Sequence, residues 1–159
     1  MFINDNQTVN NETKKYLHIK LGSNEFLISI DQIDGISEFT DIKREREFPV
    51  FVISTYKRQN QDIPVINLKK YLNCKDQSFI LTSQTRIIYF HKPKSKTTIG
   101  VVFDEILGFS EMKPKDIKRE RVLKIPEKLK CFRIEFQIKL RDRYIHLLDL
   151  SKIVDELTP

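Results

Sequence analysis

The sequence predicts an all-β chain of two small antiparallel barrels, with a few short helices including one at the C-terminus. Three observations carry this. Apolar residues alternate with polar ones in many short runs, the period of a half-buried strand. Turn-forming residues separate those runs, as at Gly22-Ser23-Asn24. The chain also nearly repeats itself. Asp31-Gln32-Ile33-Asp34-Gly35-Ile36-Ser37-Glu38 and Asp104-Glu105-Ile106-Leu107-Gly108-Phe109-Ser110-Glu111 both fit Asp-x-Ile-x-Gly-x-Ser-Glu, offset by 104 − 31 = 73. Asp-Ile-Lys-Arg-Glu-Arg occurs at 41–46 and again at 116–121, and Ile63 to Leu68 is echoed by Ile145 to Leu150. Three matches in one order describe a duplicated unit.

Each repeat follows a strand-like run, Phe26 to Ile30 or Ile99 to Phe103. The expectation is that Asp31 and Asp104 cap a single helical turn. Gly35 and Gly108 would end it in the left-handed conformation. Ile33 and Ile106 would then lie mid-turn at equivalent places, as core plugs or as contact residues.

In chain order, residues 1–14 read as a disordered polar tail. Tyr16 to Leu21 and Glu25 to Ile30 form a hairpin. A strand from Ile36 to Phe39 follows the first repeat turn. Phe48 to Ile53 is a loop feeding a strand or short turn, and Tyr56 to Asp62 is a polar connection in which Asn60 can turn left-handed. Ile63 to Leu68 is a strand with Pro64 near its start or on an edge. Leu68 to Leu72 is a short helix, and residues 73–83 a linker. The second half opens with the strand Arg86 to Phe90, then the Lys92-Pro93-Lys94-Ser95-Lys96 hairpin tip and the strand Ile99 to Phe103. Phe132, Ile134, Phe136 and Ile138 alternate with charged and polar residues as a further strand, which Tyr144 to Leu148 pairs. Asp149 caps a final helix from Leu150 to Leu157, whose apolar residues follow helical spacing. Approximate barrels are 15–80 and 84–157.

Composition narrows the function. Hydrophobic residues make up 40% of the chain, enough for a core, and no apolar run approaches the roughly 20 residues of a membrane span. The start lacks a secretory pattern. Cys74 and Cys131 have no metal-ligand spacing and are expected to be free thiols in a reducing, cytosolic compartment. Net charge is +6, but the bases do not gather into one stripe, and nucleic-acid recognition needs a concentrated basic face. His18, His91 and His146 lack partner spacing, no Gly-rich phosphate loop exists, and Cys74 carries no sign of activation. No catalytic set, metal site or cofactor site is visible, so a binding module is expected rather than an enzyme.

The segments around Pro49 to Val52, Pro64-Val65-Ile66-Asn67-Leu68, Thr85-Arg86-Ile87-Ile88, Gly100-Val101-Val102-Phe103-Asp104 and Leu147-Leu148-Asp149-Leu150 together resemble the CheW family of chemotaxis coupling proteins. The resemblance runs from about Lys15 to Leu157. It implies two five-stranded SH3-like barrels packed together, and a cytoplasmic scaffold that bridges methyl-accepting chemotaxis receptors and the regulatory domain of the CheA histidine kinase. Receptor helices would dock in a groove between the barrels. Positions matching the family's receptor contacts are Ile33, the Ser54 to Asn60 segment (Ser54, Lys57, Arg58, Gln59 and Asn60), Val101, Ile106 and Phe109. Where the family has Asn-Leu-Arg-Gly, this chain has Lys57-Arg58-Gln59-Asn60. Asn60 can keep the turn, while Gln59 lacks the charged fork of the family's Arg, a role open to Arg58 in a shifted register. The family's nearby Gly is Ser54, and another is Phe136. Two alternatives stay open: a basic small-barrel nucleic-acid-binding protein, and a CheV-like protein, which would require a receiver domain beyond Pro159.

Overall fold

The computed structural model describes residues 13–39, 48–91 and 98–157. The strands are β1 (Lys14–Leu21), β2 (Asn24–Ser29), β3 (Ile33–Glu38), β4 (Val52–Arg58), β5 (Gln61–Ile66), β6 (Arg86–His91), β7 (Thr98–Phe103), β8 (Glu105–Met112), β9 (Arg119–Arg121), β10 (Phe136–Leu140) and β11 (Arg143–Leu147). The helices are α1 (Leu68–Tyr71) and α2 (Ser151–Leu157). Most of the tail, the first Asp-Ile-Lys-Arg-Glu-Arg block and the lysine-rich hairpin tip lie outside the described residues.

The strands form two sheets. One is six-stranded, in the order β8-β1-β2-β11-β10-β9, and the other five-stranded, β3-β6-β7-β5-β4. The expected all-β class and sparse helix are therefore present. No ladder closes either sheet on itself among the described residues, and β9 adds a sixth strand to the first.

The duplication reappears as shared strand order. Substituting β1, β2, β3, β4 and β5 by β6, β7, β8, β10 and β11 turns one sheet into the other. The register agrees residue by residue. Ile36 pairs with Ile88 and Phe109 with Leu17; Val65 pairs with Gly100 and Leu147 with Leu27, in parallel. The copies are interleaved, because each sheet combines the opening hairpin of one copy with the later strands of the other, four in the first sheet and three in the second. The sheets consequently do not divide the chain at residues 80–84. A crossing strand explains this: after β2 the chain leaves the first sheet and β3 joins the second, while β8 makes the reverse passage.

The repeat motif itself differs from expectation. Only the first copy makes a 3-10 turn, Ile30–Gln32, and no side chain caps it. Asp31 instead pairs with Lys14 at 3.7 Å, and the Asp104 carboxylate accepts a hydrogen bond from the Gly22 N–H. Ile33 begins β3 and Ile106 lies within β8 rather than mid-turn. Gly35 and Gly108 are not left-handed; each follows an extra residue, Asp34 or Leu107, that bulges the ladder. The alternating run at 132–138 is also shorter as a strand. Glu127–Phe132 forms 3-10 helix, ended by Arg133 at φ 56°, and β10 starts only at Phe136.

Among the described residues, three apolar clusters hold the fold. A large one, including Ile19, Phe26, Leu68, Phe90, Val101, Phe103, Phe132 and Leu150, joins the two sheets. Smaller ones belong to single sheets: Ile63, Val65, Ile87, Tyr89 and Val102 in the second, Tyr16, Leu27, Ile138 and Ile145 in the first. Asn67 caps α1 by accepting from the Lys70 N–H, and Asp149 accepts from the Ser151 N–H at 2.9 Å before α2.

Cys74 and Cys131 form a disulfide, with Cα atoms 5.3 Å apart. This corrects the expectation of free thiols. Their sequence separation of 57 hides a tertiary proximity that sets the turn after α1 beside the 127–132 turn.

Candidate functional site

The β4–β5 hairpin turns through two residues, Gln59 and Asn60, both left-handed at φ 50° and 63°. Such a turn matches strand twist and tolerates Asn well, Gln less so. It sets the end of β4 beside β3, the opposite edge strand of the same sheet. Arg58 spans the gap. Its Nη1 donates to Asp34 Oδ2 at 3.2 Å, and its guanidinium stacks 5.0 Å from the Tyr89 ring centre. Tyr89 also shares a 2.7 Å hydrogen bond with Ser37, and burial pushes its phenol up from the ordinary range despite that bond. Lys57, Gln59 and Asn60 are exposed, whereas Ser54 is buried and its hydroxyl bonds the Thr55 carbonyl.

The corresponding corner of the first sheet is built differently. Register equivalence puts Leu140 where Arg58 stands, Leu107 where Asp34 stands and His18 where Tyr89 stands. The position of Arg58 is thus apolar here. A cleft of about 720 Å³ remains, lined by His18, Leu107 to Met112 and Leu140 to Arg143. Phe109 is 54% exposed and Leu107 39% exposed on this edge strand. Glu25 sits behind them: burial raises its carboxyl, but Arg143 at 2.9 Å and His18 at 3.2 Å outweigh that and hold it below the usual range.

The residues named from the sequence thus fall into separate groups. Arg58, Gln59 and Asn60 share one corner with Lys57. Ile106 and Phe109 share β8, with Ile106 turned partly into the joint core and Phe109 outward. Ile33 lies at the start of β3, also against that core. Val101 is fully buried and offers no surface to a partner. Asp34, Tyr89 and Leu107 were missed. Aligning the two copies strand by strand would have marked them, since Asp34 and Leu107 occupy one repeat position.

A family model for the CheW-like domain matches residues 15–158. The chain belongs to the CheW-like family. Membership makes it a chemotaxis scaffold or adaptor by class, as the motifs implied. Among solved structures, the scaffolding protein TtCheW from Thermoanaerobacter tengcongensis is similar with a TM-score of 0.68 at 20% identity, over 86% of this chain and 89% of that one. That likeness supports the fold. No curated protein matches the sequence. Nothing in these findings favours the nucleic-acid alternative. Among the described residues no helix is long and apolar enough to cross a membrane, and no group of His, Cys, Asp and Glu could hold a metal ion.

Proposed function

We propose that this CheW-like chain couples the cytoplasmic tips of methyl-accepting chemotaxis receptors to the regulatory domain of the CheA histidine kinase, acting in the cytoplasm as a scaffold without catalysis or cofactor. The observation that carries this is the family match across residues 15–158. We read residues 15–157 as one CheW-like domain and each sheet as an SH3-like barrel. The approach of Arg58 on one edge strand to Asp34 on the other supports such a curl.

Receptor docking would use a helix laid with its apolar face on a groove. Phe109 supports that reading best, because an exposed aromatic on an edge strand is a natural anchor. Ile106 and Ile33 would contribute their exposed portions, and Lys57, Gln59 and Asn60 a polar rim that sets register. Arg58 would act by holding its corner in shape, since its guanidinium is already engaged. Val101 and Ser54 would act only through packing.

Co-purification with a CheA regulatory domain and a receptor-tip fragment tests the proposal. Both should be retained together, and retention should change little between low and moderate salt. Loss of both partners, or steep salt-dependent binding to nucleic acid instead, would overturn it.

A further inference from the structure

The disulfide joins parts that belong to different sheets. Cys74 closes the turn after α1, its N–H donating to the Lys69 carbonyl at 2.9 Å, and α1 follows β5 of the second sheet. Cys131 lies in the 127–132 turn that leads to β10 of the first sheet. Both sulfurs sit at the rim of the joint core, beside buried Leu129 and Phe132. Cys74 is buried, while Cys131 is partly exposed. They line an open cleft of about 530 Å³ that also holds Lys69, Lys75, Lys128 and Lys130 against two carboxylates, Asp76 and Glu127. A disulfide that includes a partly exposed cysteine and lines a lysine-rich cleft is in the setting in which cysteines exchange, because nearby cations stabilise thiolates.

We propose that Cys74–Cys131 is a thiol-reversible clasp across the junction of the two sheets. A dithiol reductant opens it. Its thiolate attacks the sulfur of Cys131, the less buried residue of the two, the Cys74 sulfur leaves as a thiolate and takes up a proton, and the reductant's second thiol then releases Cys131. Two protein thiols form as one dithiol becomes a cyclic disulfide, so electrons and protons balance. Oxidised glutathione reverses the step and is itself reduced to two thiols.

Opening need not unfold the sheets. The 127–132 turn is 3-10 helix rather than a strand of either ladder, and besides the disulfide it is tied to its surroundings by the burial of Leu129 and Phe132, the Phe26–Phe132 ring contact and an exposed Lys75–Glu127 pair at 3.9 Å. Segments with few ladder bonds open locally at low cost. The clasp therefore sets how firmly this turn keeps the two sheets together.

Hydrogen exchange on the full chain, with alkylation to count thiols, tests this without any partner. Air-oxidised protein should resist alkylation. Dithiothreitol should expose both cysteines without unfolding, and raise exchange over 127–132 about tenfold or more while β1, β2, β6 and β7 stay protected. Oxidised glutathione should restore the first pattern. A Cys74→Ser/Cys131→Ser variant should resemble the reduced protein with or without dithiothreitol. Free thiols in the air-oxidised protein, a bond that yields only on global unfolding, unchanged exchange after reduction, or a dithiothreitol response in the double variant would each overturn the clasp.

Discussion

Gly35 stands opposite Tyr89 in the β3–β6 ladder, and a Cβ added there would sit 2.9 Å from the Arg58 guanidinium. Gly108 stands opposite His18 in the β8–β1 ladder, and a Cβ there would meet nothing within 4 Å. One repeat position therefore has two environments. Gly35→Ala should displace Arg58 from Asp34 and Tyr89 and cost about 1 kcal/mol, the scale of a part-exposed ion pair with stacking. Gly108→Ala should be neutral or mildly stabilising. Denaturant unfolding of both variants checks this, and in an Arg58→Ala background the cost of Gly35→Ala should vanish.

Gly100 gives a sharper packing test. A Cβ there would lie 2.9 Å from Ile87 Cγ2 and 3.2 Å from Val65 Cγ2, inside the second sheet's own core. Neither branched side chain can swing away. Gly100→Ala should cost about 1–3 kcal/mol, as overpacking does, and more than Gly35→Ala. The equivalent register position in the first sheet, Leu27, tolerates a large side chain.

His146 makes acid stability testable. Burial lowers its imidazole below the ordinary value of 6.5. The unfolded chain then binds the proton more readily, so this contribution is complete above that value and falls away as pH drops through and below it. Thermal melting from pH 7.5 downward should show the decline beginning near neutrality. His146→Gln should flatten that upper part of the curve, leaving the loss that belongs to Glu25 at lower pH. An identical decline in the variant would assign it elsewhere.

Much of the fold was legible because the repeat is written in side chains that ladders need. The period-two runs, the turn at Asn60 and the cap at Asp149 follow from local chemistry. The interleaving of the copies does not. It depends on β3 and β8 crossing between sheets, and no residue in Asp-x-Ile-x-Gly states which sheet comes next. Asp31 looked like a cap because such residues often are, yet no side chain caps the turn and its carboxylate pairs with Lys14. Cys74 and Cys131 carried no spacing signal, since their meeting is tertiary. At the site, the family-matched segments pointed to β8 and the β4–β5 turn. They could not tell exposed Phe109 from buried Val101, because both are apolar residues of strands and only packing separates them.

The most direct test of the coupling account is calorimetric titration of a receptor-tip helical fragment, and separately of the CheA regulatory domain, into wild type and Phe109→Asp. Burying such a side chain on docking contributes roughly 1.5–3 kcal/mol, and Phe109 is more than half exposed beforehand. Receptor binding should weaken at least about tenfold, with kinase-domain binding unchanged and the melting temperature within a few degrees of wild type. Receptor binding at wild-type strength by the folded variant would contradict it.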